Sequence, residues 1–124
     1  MNNRTIVETK EYKGINIYVV NYHIDMPNLG VEFYSNPNWT CGYIDIPKDY
    51  KEFEVNYNNL SSEYHNAVHG GLTYSKFGLG KEVSETKWML GWDYNHFEDH
   101  GITPAFEVVE DAKKLIDVIV NNNI

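Results

Sequence analysis

From Thr103 to Asn121 the chain carries one apolar stripe, in which Phe106, Val109, Ala112, Leu115 or Ile116, and Ile119 recur at three to four residues. On a helix that spacing places them on one side and leaves the other side polar. A helix apolar on one side needs a surface to cover, and the strand-rich remainder of this chain supplies a sheet. Thr103 is a good N-cap, and Pro104 suits the first helical position, where a missing N–H costs nothing. Glu107, Glu110 and Asp111 lie early and Lys113 and Lys114 later, which matches the helix dipole, and Glu110 with Lys114 is a favourable i,i+4 pair. Asn121-Asn122-Asn123 ends the element.

The rest of the chain reads as strands and loops. Thr5 to Tyr12 and Gly14 to Tyr22 read as strands joined at Lys13-Gly14, the second with Ile15, Ile17 and Val19 alternating against Asn16, Tyr18 and Val20. Asp25 to Asn38 holds Pro27, Gly30 and Pro37 and predicts a loop with a short strand at Val31 to Tyr34. Thr40 to Ile46 alternates again until Pro47 stops it. Lys48 to Tyr57 is charged and aromatic, and Leu60 to Ala67 predicts one or two helical turns that Gly70-Gly71 breaks. Leu72 to Ser75 predicts a short strand, Lys76 to Glu85 a loop around Gly78 and Gly80, and Thr86 to Asp93 a strongly apolar strand. The expected fold is a single α+β domain over residues 1–124, a mainly antiparallel sheet covered on one face by the C-terminal helix, with long irregular central loops.

Composition narrows the function classes. At 124 residues and 42% hydrophobic content the chain can build one packed core. Ten Lys and Arg against eighteen Asp and Glu leave a net charge of −8, which repels a polyanion, so bulk nucleic acid is not an expected partner. A small anionic ligand still fits, because backbone N–H groups can hold a phosphate inside an acidic protein. Cys41 stands alone, which excludes an intramolecular disulfide and a multi-cysteine metal centre and suits a reducing cytosol. The residues after Met1 form no apolar signal core, and no apolar run approaches the ~20 residues of a membrane span, so no membrane association is expected. Asn38-Trp39-Thr40 and Asn59-Leu60-Ser61 match the glycosylation pattern without a secretion signal to make it meaningful.

Two stretches carry the candidate chemistry. In His69-Gly70-Gly71-Leu72-Thr73-Tyr74-Ser75 the glycines open backbone conformations closed to other residues and bare N–H groups to an anion, while Thr73, Tyr74 and Ser75 add hydroxyls. The plainer reading is a tight turn into a strand. In Trp88-Met89-Leu90-Gly91-Trp92-Asp93 an apolar strand runs into Asp93, His96, Glu98, Asp99 and His100, where Asp93 could orient His96 as a base; ordinary solvated capping is the alternative. His65 with His69, and His96 with His100, are i,i+4 pairs that would face one way on a helix and could hold zinc, yet glycines adjoin both and neither has the rest of a metal signature. Cys41 falls in a strand, where a lone buried thiol is usually inert.

The ordered set Cys41-Gly42-Tyr43-Ile44 with Pro47, Val68-His69-Gly70-Gly71-Leu72-Thr73-Tyr74, Trp88 to Asp93 with His96 and Asp99, and the closing helix resembles a family of small proteins encoded by phages and prophages. The family pattern is Cys-Gly-Tyr-x-x-x-Pro, His-Gly-Gly-Leu-Thr-Tyr and Trp-x-Gly-Phe-Asp-x-x-His-x-x-Asp. This chain has Trp92 at the usual Phe, and Tyr94 where a further cysteine often stands, which argues against thiol chemistry there. The resemblance implies a phage accessory protein, a class that includes inhibitors of bacterial immunity that sequester nucleotide second messengers.

A sponge of that kind needs an enclosed pocket and no catalytic group or cofactor. Tyr43, Tyr74, Trp88 and Trp92 would offer faces to bases, Gly70 and Gly71 donors to phosphates, and His69, Thr73, Asp93 and His96 polar contacts. The expectation is therefore a cytosolic homo-oligomer that binds a small nucleotide-derived ligand, with the glycine pair and Asp93 bordering one cavity. Two rivals stand beside it: a His/Asp-dependent, metal-assisted hydrolase of the same ligand class, and an acidic protein that blocks a host protein directly.

Overall fold

A computed structural model describes residues 2–24, 38–95 and 101–124. Strands β1 (Asn2–Tyr12), β2 (Ile15–Ile24), β3 (Asn38–Ile46), β4 (Tyr74–Leu79) and β5 (Val83–Asp93) form one antiparallel sheet in the order β1-β2-β3-β5-β4. Between β3 and β4 lie turns, a 3-10 turn at Tyr57–Asn59 and the short helix α1 (Ser62–His65). Helix α2 (Ala105–Asn122) closes the chain. This is the α+β architecture expected, a sheet with the C-terminal helix packed on it.

Period-two alternation decides what each face of the sheet buries. Ile15, Ile17 and Val19 of β2, Ile44 and Ile46 of β3, and Trp88, Leu90 and Trp92 of β5 meet Val108, Val109, Ala112, Leu115, Ile116 and Ile119 of α2. Phe106 is not part of that stripe and is 70% exposed. At about 100° per residue it stands roughly 120° round the helix from Ala112, whereas Val108 stands about 40° away and is fully buried. The helix also starts one residue later than its cap signals suggest: Pro104 is the N-cap, and the Thr103 N–H is held instead by Thr40 Oγ1 at 2.9 Å.

The opposite face has its own core of Val20, Cys41, Tyr43, Leu79, Val83 and Met89, flanked by Ile6, Tyr18, Tyr22, Trp39 and Tyr74. Two irregularities let the sheet enclose it. In β1 the register slips between Ile6 and Glu8, so Ile6 faces this second core while Tyr12, beyond the bulge, reaches the helix side and donates to Asp117 at 2.9 Å. In β4 it slips between Phe77 and Leu79, where Gly78 has φ +76°. Residues 76–79, which the glycines mark as a loop in the sequence, are thus strand with a bulge, and the bend carries Leu79 and Val83 over the core. The sheet curls until its far edges meet: Arg4 of β1 pairs with Glu82 in the β4–β5 turn at 3.2 Å.

The first hairpin turns at Lys13 and Gly14, both at positive φ (52° and 82°), the combination that matches the strand twist in a two-residue turn. The predicted strand at residues 31–34 lies outside the described residues. Among the described residues no helix is long and apolar enough to cross a membrane.

Candidate functional site: an aromatic cleft on the curled face

One rung of the sheet reads Tyr43–Gly91–Tyr74 across β3, β5 and β4. With no side chain in the middle, the outer two rings meet edge to face at 5.1 Å and 83°. Beside them Tyr22 of β2 and its register partner Trp39 of β3 stack at 5.4 Å, 10° from parallel. The Tyr22 and Tyr43 hydroxyls share a 2.6 Å hydrogen bond that links the two pairs.

The polar end of the same face comes from where β5 stops. Asp93 is the register partner of Cys41. Its Oδ1 accepts the Asn95 N–H at 3.0 Å in a local turn, and its Oδ2 accepts the Thr73 hydroxyl at 3.1 Å. Thr73 is fixed in turn by its N–H on Gly91 O at 2.9 Å. Between the aromatic wall and this carboxylate lies an open cleft of about 380 Å³.

Burial sets the protonation of its walls. The Cys41 thiol is pushed up to about 12, first by burial and then by the Asp93 charge. Burial likewise raises Tyr22, Tyr43 and Tyr74 above the usual phenol range. At neutral pH these groups are protonated, so the cleft offers hydroxyl donors and aromatic faces, not a thiolate nucleophile.

Of the residues singled out in the sequence, Tyr43, Thr73, Tyr74 and Asp93 come together here. Trp92 borders the cleft, but its ring is 1% exposed and lies on the helix side over Gly42. Trp88 also faces away, against Phe77 at 4.9 Å. Alternation along β5 sends both tryptophans to the helix-covered face with Leu90, so neither offers a ring to this cleft.

Gly70 and Gly71 do not line the cleft. They have φ of +70° and +84° and build a turn in which the Gly71 N–H is donated to Val68 O at 3.2 Å. His65 fastens that turn: its Nδ1 accepts the Leu72 N–H at 3.1 Å, so its Nε2 carries the hydrogen and donates to Tyr57 O at 2.9 Å. With both ring nitrogens engaged, His65 is a structural imidazole and not half of a zinc pair. His69 stacks on Tyr94 at 5.0 Å, 6° from parallel, in a second hollow of about 490 Å³ beside α2. The glycine cradle, the imidazole and Asp93 therefore do not share one cavity.

His96, Glu98, Asp99 and His100 lie outside the described residues. Among the described residues no three His, Cys, Asp or Glu side chains gather as a metal set. Tyr22, Trp39 and Asn95 are cleft residues that the sequence reading passed over. The signal for two of them was present: Trp39, Cys41 and Tyr43 alternate on one face of β3, and Tyr18, Val20 and Tyr22 on the same face of β2. β3 begins at Asn38, two residues before the alternating run predicted from Thr40, so Trp39 belongs to the strand.

No protein-family model, no curated protein and no solved structure matches the chain.

Proposed function

We propose that the chain binds a small nucleotide-derived signal in the aromatic cleft and holds it intact, as a phage-encoded anti-defence protein acting by sequestration. The observation that carries this reading is the joining of four rings and a carboxylate on one concave face: Tyr22 on Trp39, Tyr43 on Tyr74, and Asp93 at the end. Bases bind proteins by stacking on such rings, about 1–3 kcal/mol per base, and sugar hydroxyls pair with carboxylates and threonine. Protonated phenols and a protonated thiol suit binding better than attack. The phage origin rests on the Cys41-Gly42-Tyr43, His69 to Tyr74 and Trp88 to Asp93 motifs.

The test is retention. Purified protein is incubated with cyclic oligonucleotides and cyclic ADP-ribose isomers, freed of unbound ligand, denatured, and its small molecules separated by chromatography. An intact ligand released only on denaturation is expected, with Trp39→Ala lowering the amount retained by about tenfold, within the range of one lost stacking contact. A cleaved product would replace sequestration by catalysis. Retention of none of the panel would remove the reading.

A further inference from the structure

We infer that the ion pair of Arg4 with Glu82 is a latch that sets the width of the aromatic cleft, with Arg4 as the positioning residue of its stacked wall. This rests on the binding reading above and adds what regulates that site. Arg4, Tyr22 and Trp39 are successive register partners across β1, β2 and β3, which puts their side chains in one row on the cleft face. At the outer end of the row the Arg4 guanidinium donates to the Tyr22 hydroxyl. At the inner end the Tyr22 ring stacks on Trp39 at 5.4 Å, and its hydroxyl meets that of Tyr43 at 2.6 Å. Where Arg4 is held therefore decides where the stacked wall stands.

Arg4 is held by the bend between β4 and β5. It crosses from its own edge of the sheet to Glu82 at 3.2 Å, and its guanidinium fills the space over Gly80, where an added Cβ would overlap it. Glu82 is fixed by the turn itself: its N–H is donated to Leu79 O at 3.0 Å, and its carboxylate accepts the Lys81 N–H at 3.1 Å. The opposite ring of the cleft is tied to the same bend, since the Tyr74 hydroxyl donates to Gly78 O at 3.0 Å. Both walls thus end on one short segment, Tyr74 directly at Gly78 and Tyr22 through Arg4 at Glu82. Beneath them the apolar contacts of Ile6, Leu79 and Val83 hold the curl of the sheet. The ion pair sits at the rim, its side chains 32% and 31% exposed, and a pair so placed adds little to global stability and is screened by salt. Its effect is local: opening it frees one wall and leaves the fold standing.

The experiment reads the wall first without ligand. The full chain is labelled with 3-fluorotyrosine, the Tyr22 resonance is assigned from Tyr22→Phe, and near-ultraviolet circular dichroism follows the Tyr22–Trp39 stack. Glu82→Gln is the decisive variant, because it alters the far anchor and leaves Arg4 and Tyr22 in place; Arg4→Gln breaks the same pair from the other side. Lys10→Gln, which removes an equal charge from the exposed Glu8–Lys10 pair at 3.7 Å, is the control. Glu82→Gln should shift the Tyr22 resonance and weaken the stacking signal, raising salt from about 50 mM to 1 M should move the wild type the same way, and Lys10→Gln should do neither. Wild-type spectra in Glu82→Gln would overturn the latch, whatever the cleft binds. Cyclic dinucleotides and cyclic ADP-ribose are then titrated, and any that the wild type binds should bind about two- to fivefold more weakly to Glu82→Gln. Equal affinity would overturn the regulation while the binding reading stands. Binding of none of these probes by the wild type would remove the binding reading, and the ligand-free spectra would still decide the latch.

Discussion

The Tyr43 ring crosses Gly91, its register partner on β5, so closely that a Cβ placed on Gly91 would stand 2.5 Å from Tyr43 Cδ1 and 3.1 Å from Tyr74 Cβ. One rung along, on the other face, the roles reverse: Trp92 covers Gly42, where a Cβ would meet its indole at 2.6 Å and Val108 of α2 at 2.8 Å. Each strand thus gives a glycine to the other's aromatic ring, and the two exchanges anchor the cleft on one side and the helix on the other. Neither glycine is at positive φ, so the constraint is space. Gly91→Ala and Gly42→Ala should each destabilise the fold by roughly 1–3 kcal/mol, the usual range for overpacking a core. Urea denaturation measures this, and a midpoint unchanged in both variants would show that the rings can move aside.

Much of the fold can be read from periodicity, because α2 buries one side and β2, β3 and β5 send alternate residues to the two cores. β4 could be read that way only at its start. Tyr74-Ser75 falls in the predicted strand of residues 72–75; Lys76-Phe77-Gly78-Leu79 looks like loop because of its glycine, yet Gly78 is the bulge residue that bends the strand over the second core. The cleft was legible to the extent that Tyr43, Thr73, Tyr74 and Asp93 stand in compact motifs. Its stacked wall was legible only as two alternating faces, since the pairing of Tyr22 with Trp39 is set by a β2–β3 register that no local pattern states. The glycine pair misled for a related reason: a sequence shows that N–H groups are available, but not that Val68 O and His65 already define the turn.

His65 illustrates what that turn depends on. Its Nδ1 accepts from Leu72 and its Nε2 donates to Tyr57 O, joining three points of the segment between β3 and β4. His65→Ala leaves both backbone groups without these partners and should cost about 1–3 kcal/mol. Hydrogen exchange at the Leu72 amide gives the local readout, with faster exchange expected in the variant. Protection equal to wild type would mean that the imidazole is dispensable.

Stability should decline in alkali. Burial pushes the Cys41 thiol from 9.0 up to about 12, and burial with the neighbouring Asp45 carboxylate pushes Tyr18 from 10.0 up to about 12; Tyr43, Tyr64 and Tyr94 are raised as well, each mainly by burial. The folded state therefore keeps protons that the unfolded chain releases above its ordinary thiol and phenol values. These groups contribute their full stability below about pH 9 and lose it as pH rises from there through about 12. For a buried group such as Tyr43 the slope approaches ~1.4 kcal/mol per pH unit above 10. Urea midpoints at about pH 8, 9.5 and 11 test the window, and a flat profile would contradict the buried, protonated state of these side chains.

The docking of α2 turns on Asp111. Trp92 Nε1 donates to the Tyr94 hydroxyl at 3.0 Å, and that hydroxyl donates to Asp111 Oδ2 at 2.6 Å, which also receives the His69 N–H at 3.3 Å. One carboxylate on the helix thereby closes a chain that begins at the ring covering Gly42. Tyr94 is 5% exposed, so loss of its acceptor leaves a buried hydroxyl to be satisfied elsewhere. Asp111→Ala and Tyr94→Phe should each cost about 1–3 kcal/mol. Because both remove the same bond, the double variant should cost less than the two together by about 0.5–3 kcal/mol. Tyr94→Phe keeps the ring under His69, so the cycle separates the hydrogen bond from the stack. Strictly additive losses would mean that the Tyr94–Asp111 bond contributes nothing to the docking of the helix.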